Sequence, residues 1–383
     1  MNKIKEKIKA SIYLLSYFET LGFKNGQWEF NYNFRPPTSV EDIAFQNITI
    51  IHHFFSLGGF EHMDITGWNS SDDTIMSLAT AYACIKGGTE EHYINEYLSI
   101  LDQLKDTKRQ SGNNTLNTLE FVKRARSIDK IKYDKNMGGN GAAMRTSSIG
   151  LIYYKEEDLQ KLIKESIIAS RVTHNYPIGF LGGMVCALFT SFAIRNVPIW
   201  EWSSELLLIF EKGLIDEYMK TTNIYEKYEK DKNLFFDPWY QYTEEKIQAF
   251  KNNSVDFYKF KNRTESLIDY HYYELNGQKG HNFYHGTSGL NSTIVAYDSL
   301  LASVISKNYP LDKNSNYKIS LQSVIYFSTL HCGDNDTTGA IAGAWYGAMV
   351  GFESFDEKKL KQLEFDTKLN KCSQDIISFV NFN

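Results

Sequence analysis

Asp334-Asn335-Asp336-Thr337-Thr338-Gly339-Ala340-Ile341-Ala342-Gly343-Ala344-Trp345-Tyr346-Gly347-Ala348-Met349-Val350-Gly351 is the stretch on which the fold turns. Glycine returns at 339, 343, 347 and 351. A helix places every fourth residue along one face, and missing side chains there let another backbone approach closely. The spacing predicts a central helix over 337–351, packed tightly on a neighbour. The acids and hydroxyls ahead of it are the residue types that accept hydrogen bonds from the free N–H groups of a helix start.

The same period recurs outward from this segment. Ile75, Leu78, Ala79 and Tyr82 follow Ser71-Asp72-Asp73-Thr74 at spacings of three and four, predicting a helix over 73–85 that begins at Ser71-Asp72. Similar patterns cover 3–18, 92–105, 115–125, 157–170, 177–194, 203–219, 292–306, 318–330 and 357–378. Runs that alternate as strands do are few. The chain therefore reads as all-α, a compact multi-helix bundle forming a single domain over 1–383. A less regular, peripheral excursion rich in Tyr, Lys, Asn and Glu is expected at about 220–285.

Composition narrows the function classes. With 42% hydrophobic and 23% charged residues the chain has the balance of a globular protein. A net charge of -5 provides no broad basic face for nucleic acid. The apolar run 180–194 falls short of the roughly twenty residues that span a bilayer and contains Gly182 and Gly183, so it reads as a buried helix rather than a membrane segment. Charge is mixed through Met1-Asn2-Lys3-Ile4-Lys5-Glu6-Lys7, where a secretory signal needs an apolar run, so a cytoplasmic or nuclear protein is expected. Cysteines at 84, 186, 332 and 372 have neither CxxC pairing nor zinc spacing.

Two acidic turns carry the chemistry: Ser71-Asp72-Asp73-Thr74 and Asp334-Asn335-Asp336-Thr337-Thr338. Each alone is an ordinary helix cap. Together they would bring four carboxylates and several hydroxyls to one place, where repulsion calls for cations, and hard oxygen ligands suit magnesium. Gly138-Gly139-Asn140-Gly141-Ala142-Ala143-Met144-Arg145 is a small-residue loop that leaves N–H groups accessible, or simply a tight turn into a helix. Arg109-Gln110-Ser111-Gly112-Asn113-Asn114-Thr115 leads into a helix whose N-terminus favours a diphosphate, and as an isolated observation is only a cap. His174 reads as a general base or, more often for such a residue, as a structural hydrogen-bonding group at a helix entrance. The aromatic residues mostly build core, with Tyr284 a candidate to stack on a base.

In this order the segments resemble the ADP-ribosylglycohydrolase family, and within it the ADP-ribosylarginine hydrolase branch. The resemblance is carried by 21–30, Ser71-Asp72-Asp73-Thr74, Gly141-Ala142-Ala143-Met144-Arg145, Thr173 to Pro177, Gly333-Asp334-Asn335-Asp336-Thr337 and 340–352. It implies an all-α orthogonal bundle with two Mg2+ ions at the base of a cleft, held by Ser71, Asp72, Asp73, Asp334, Asp336 and Thr337. Asn25 to Phe30 is similar to the arginine branch's Asn-Gly-x-Trp-Glu-Phe, which implies an arginine-linked substrate. Glu29 then falls near the cleft entrance, either contacting the outgoing arginine or lying solvated. Two departures stand out: Phe18-Glu19-Thr20-Leu21-Gly22 where the family has Gly-Asp-Ala-Leu-Gly, and Ser288-Gly289-Leu290-Asn291 where the branch has Ser-Gly-His-Asp.

The resemblance thus implies magnesium-dependent hydrolysis of the N-glycosidic bond between ADP-ribose and arginine side chains of modified proteins, by a monomer. Asp72 or Asp73 would receive the proton of the attacking water. Gly112, Asn113, Asn114 and Thr115, with Gly139, Asn140 and Gly141, would hold the diphosphate, and Tyr284, Ser288 and Gly289 would complete the substrate site. Hydrolysis of O-linked ADP-ribose, on serine or as O-acetyl-ADP-ribose, and a non-catalytic ADP-ribose-binding relative are the alternatives.

Overall fold

The glycine-stepped segment is a helix, Asn335–Val350, buried from its first residue through Met349. A methyl group added at Gly339, Gly343 or Gly347 would strike the backbone of Phe18, Leu14 and Ala10 in turn. Those three lie on the N-terminal helix α1 (Asn2–Phe23) in descending order, so the two helices run antiparallel and almost touch along their main chains. Ser11 Oγ donates to the Ala344 carbonyl across the seam at 2.8 Å. Gly351, the fourth of the series, has left the helix: with φ of +75° it ends the helix against Glu6.

The computed structural model describes residues 2–31, 34–253, 284–306 and 309–382. After α1 the longer helices are α2 (Val40–Ser56), α3 (Asp72–Ile85), α4 (Glu90–Ser99), α5 (Asn113–Ala125), α6 (Leu159–Arg171), α7 (Pro177–Ile194), α8 (Trp202–Glu211), α9 (Asn233–Tyr242), α10 (Gly289–Ala302), α11 (Leu321–Thr329), α12 (Asn335–Val350) and α13 (Asp366–Phe382). They form one all-α domain. A single two-stranded antiparallel sheet, β1 (Val304–Ser306) with β2 (Tyr317–Ile319), is the only sheet among the described residues.

Helix α7 is long and apolar enough to cross a membrane, yet all of its residues are buried inside the protein. It packs against α6, α10 and α12. Gly182 and Gly183 permit this, since side chains there would collide with the Gly289 backbone of α10 and with Ser170 of α6. Trp345 Nε1 of α12 donates to the Cys186 carbonyl of α7 at 3.1 Å. The two helices that sequence patterning puts at the centre are thus tied to each other.

Several expectations are corrected. The pattern at 203–219 splits at Gly213, whose φ is +70°, into α8 and a short helix Leu214–Met219. Residues 92–105 likewise break after Ser99. The expected ends at 306 and 318 are strand, and 357–362 is a 3-10 turn ahead of α13. Helix α2 was not expected at all. It carries Phe45, Ile48 and Phe55 exposed opposite buried Ile43, Ile50 and Phe54, and apolar residues on both faces blur the period.

Within the expected excursion at 220–285, residues 225–251 are helical, and Tyr228, Phe235, Phe236, Trp239 and Tyr242 lie in the core. That part is not periphery. Tyr228 Oη donates to Asp216 at 2.8 Å, so burying that ring leaves no unpaired hydroxyl. The remainder, 254–283, lies outside the described residues.

Candidate active site

Helices α3 and α12 both begin at one end of the α1–α12 pair, and this brings the two acidic turns together. Asp72, Asp73, Asp334, Asp336 and Thr337 line a cleft of about 420 Å³, together with Gly112, Asn113, Asn114 and Thr115 of one loop and Gly139, Asn140 and Gly141 of another. Glu29, Phe30, Gln110, Ser111, Met144, His174 and Thr287 complete the lining. Residues separated by some three hundred positions in the chain therefore share one cavity.

Glu29 sits deeper than the sequence implies. It is buried, and its carboxylate lies with those of Asp334 and Asp336 in a group whose ligand atoms are all within 4.8 Å of one another. It belongs to the acidic cluster rather than to a solvated entrance. The main chain bends sharply to put it there: Asn25 and Phe30 both have positive φ, and Phe30 N donates to the Gly333 carbonyl at 2.9 Å.

Burial raises every carboxyl of the cluster, and repulsion adds to it at Glu29, Asp72, Asp73 and Asp334. Asp72 is pushed up to about 7 by burial and then by Asp336, with the Arg145 guanidinium pulling the other way. Glu29, Asp73 and Asp334 are held well above the usual carboxylate range for the same two reasons. Asp336 is raised by burial and drawn back by hydrogen bonds, Ser71 among their donors. Oε2 of Glu29 and Oδ2 of Asp73 are buried without a hydrogen-bond partner among the described residues. Buried carboxyl oxygens without a partner in one acidic cleft are what a divalent cation would satisfy, and an all-oxygen donor set of carboxylates and hydroxyls fits a hard ion.

The turn at 70–74 is clamped from behind. Glu19, fully buried on α1, accepts from Thr74 Oγ1 at 2.8 Å, from Thr20 Oγ1 at 3.1 Å and from the Ser71 N–H. The longer acid at this position, one of the two departures, is thereby a positioning group for the turn that carries Asp72 and Asp73. Arg109 grips the same turn from the other side. It donates to the Ser70 carbonyl at 2.7 Å and forms a two-pronged ion pair with Glu364, which in turn accepts from Ser70 N at 3.0 Å. The opposite turn is held by Asn140, whose Nδ2 donates to Asp334 Oδ2 at 2.8 Å and to the Gly286 carbonyl at 2.6 Å.

Four expected site residues lie outside the lining. Ser71 caps α3 by accepting from Asp73 N at 3.3 Å and reaches the cluster through Asp336. Tyr284 stands behind the lining residue Phe30, edge to face at 5.3 Å between centroids. Ser288 caps α10 and pairs with Gly139 as an isolated bridge. Gly289 is a packing residue, where a side chain would collide with Ile178 and Gly179 of α7. In the second departure, Asn291 Oδ1 accepts from Gly286 N at 2.6 Å and so shapes the loop that Asn140 also holds.

Carboxylates from two helix N-termini of an all-α bundle thus converge on one narrow cleft, in a group that could hold a metal ion. A solved structure described as an ADP-ribosylglycohydrolase-related protein complex has the same fold, with a TM-score of 0.55 at 14% identity over 99% of this chain and 100% of that one. The ADP-ribosylglycohydrolase family profile matches residues 5–380, and the chain belongs to that family. It is 31% identical to the ADP-ribosylhydrolase ARH1 of Dictyostelium discoideum over 97% of this chain and 94% of the relative. A putative ADP-ribosyl glycohydrolase of Acanthamoeba polyphaga mimivirus is 32% identical over 96% and 69% of the two chains. The ADP-ribosylhydrolase ARH3 of Mus musculus is 25% identical over 75% and 71%.

Proposed function

We propose that this protein removes ADP-ribose from arginine side chains of modified proteins, using two magnesium ions. The observation that carries the reading is the buried cluster of Glu29, Asp72, Asp73, Asp334 and Asp336, with two carboxylate oxygens lacking a partner among the described residues, opening on a cleft lined by two small-residue loops. Asp72, Asp73, Asp334 and Asp336, with Thr337, Ser71 and Glu29, would hold the metal. When bound, it would supply Lewis-acid stabilisation of the ribose hydroxyls and raise the acidity of the attacking water.

The chain's own groups do the rest. Backbone N–H groups at Gly112 to Thr115, at the start of α5, and at Gly139 to Gly141 would donate to a diphosphate without a basic surface, which suits an acidic protein. Asp72 or Asp73 takes the proton of water as the ribose C1–N bond opens through an oxocarbenium-like state. Arginine as the leaving side is supported by Asn25 to Phe30, which is similar to the arginine branch's Asn-Gly-x-Trp-Glu-Phe.

The test is turnover of arginine-linked and serine-linked ADP-ribosyl peptides with and without chelator. Arginine-peptide release abolished by chelation and restored by magnesium is expected. Full turnover in excess chelator removes the two-metal reading, and preference for the serine peptide moves the linkage to oxygen.

A further inference from the structure

Arg145 closes the Gly141-Ala142-Ala143-Met144-Arg145 motif, and the reaction outlined above gives it no task. It is completely buried and forms no ion pair among the described residues. An interior cation is costly unless hydrogen-bonded throughout, and here neutral oxygens meet that need. Nε donates to Tyr97 Oη at 3.1 Å, and one terminal nitrogen to the Gly141 carbonyl at 2.5 Å. The other donates to the Ala169 carbonyl and to Thr173 Oγ1, both at 2.8 Å.

Thr173 is the deciding atom in this arrangement. Its hydroxyl has one proton to give and two lone pairs to receive, and one lone pair takes the guanidinium N–H. A guanidinium accepts nothing, so the hydroxyl proton must go elsewhere. The partner within reach is Nδ1 of His174 at 2.8 Å. If Nδ1 carried the imidazole proton instead, Thr173 Oγ1 would receive two donors and its own proton would be buried without an acceptor, which costs more than the bond it replaces.

We infer that Arg145 and Thr173 lock His174 in the tautomer protonated at Nε2, so that a neutral N–H is presented to an anionic oxygen of the ligand at the Gly139–Gly141 side of the cleft. His174 lines the cleft, and a carbon added at Gly139 or Gly141 would come within 3.3 and 3.2 Å of Nε2. Thr115, from the other small-residue loop, approaches the same point. No hydrogen bond from Nε2 is made within the described residues. Burial, with the charge of Arg145 added, pushes the imidazole down to about 3, so the ring is neutral and its tautomer is defined. His174 is then neither a general base nor an inert cap. Arg145 and Thr173 are positioning residues that act through it.

The tautomer stands on hydrogen bonding alone, while the nature of the ligand rests on the ADP-ribose reading. Nitrogen-15 spectra of the histidine-labelled protein are expected to show Nδ1 bare and Nε2 protonated; a protonated Nδ1 overturns the lock whatever the substrate is. Thr173→Val keeps the shape and removes the hydroxyl. It is expected to mix the tautomers and weaken ADP-ribose binding, measured by calorimetry, about five- to tenfold, the value of one hydrogen bond. Thr173→Ser should restore both. Altered tautomer with unchanged affinity overturns the donor role. Should the valine variant fail to fold, His174→Gln, which still offers an N–H, is expected to bind more tightly than His174→Ala, and equal losses overturn the donor role as well. Wild-type protein that does not bind ADP-ribose overturns the functional reading and the donor role with it, while the spectra still decide the lock.

Discussion

The two acidic turns look alike in sequence and do different work in the fold. At the start of α3, Ser71 spends its hydroxyl on capping, accepting from Asp73 N, and the turn is braced by Glu19 and by the Arg109–Glu364 pair. At the start of α12, Asp334 makes no capping bond; its carboxylate is turned to Asn140 and to the cluster, while Asp336 accepts from the adjacent Thr337 N and from Ser71 across the cleft. A helix N-terminus tolerates an unused cap when something else gains from the free oxygen. The first turn therefore has a structural duty as well as a chemical one, and the second is almost wholly committed to the cluster.

The largest expected effect tests that commitment. Asp336→Asn keeps the shape and removes a charge from the centre of the cluster. Turnover should fall by more than the roughly 10–100-fold that losing an outer partner of a metal ligand costs. The melting temperature in chelator should hold or rise, because burial and repulsion raise the carboxyls around it. Normal turnover together with an intact magnesium-induced shift would return Asp336 to the status of a helix cap.

Glu19→Ala probes the brace of the first turn. Ser71 N and the Thr74 hydroxyl lose a buried acceptor, and denaturant unfolding should report a loss of about 1–3 kcal/mol. Magnesium affinity should drop with it, since the turn that carries Asp72 and Asp73 loosens. Stability unchanged within error would mean that α1 does not position the turn.

A smaller contrast separates the two caps directly. Ser71→Ala should cost about 1 kcal/mol in chelator, the usual value of a lost cap. Asp334→Asn should stay within about 0.5 kcal/mol, because no helix bond is lost. Equal costs would erase the distinction between the turns.

The smallest effect is a drift with pH. In metal-free protein burial raises Glu19 to about 8 and Asp72 to about 7, against 4.5 and 3.8 for the free groups. Between those limits the folded chain binds more protons than the unfolded one, so stability is greatest below the unfolded values and is lost as pH rises through 7 and 8. His174, lowered to about 3 from 6.5, works in the opposite direction but only below 6.5. From pH 6.5 to 8 the melting temperature in chelator should fall, while the rise produced by magnesium grows as the ligands deprotonate. A flat profile in chelator would mean that the cluster is ionised without metal.

Much of this was written in the chain. The glycine spacing of 339–347 and the apolar run of α7 determined which helices are central, because close backbone approach and full burial leave direct marks on composition. The acidic turns and small-residue loops marked the cleft they line, because side-chain oxygens and bare N–H groups gathered at helix starts leave a direct mark on residue type. Tertiary structure alone decided the depth of Glu29, the bracing by Glu19, the packing role of Gly289 and the Arg145–Thr173–His174 relay. Each depends on a partner far away in the chain or on the direction of one hydrogen-bond proton, and neither produces a local period. Helix α2 was hidden for a related reason: it exposes Phe45, Ile48 and Phe55 while burying Gln46 and Asn47, and only packing distinguishes the faces.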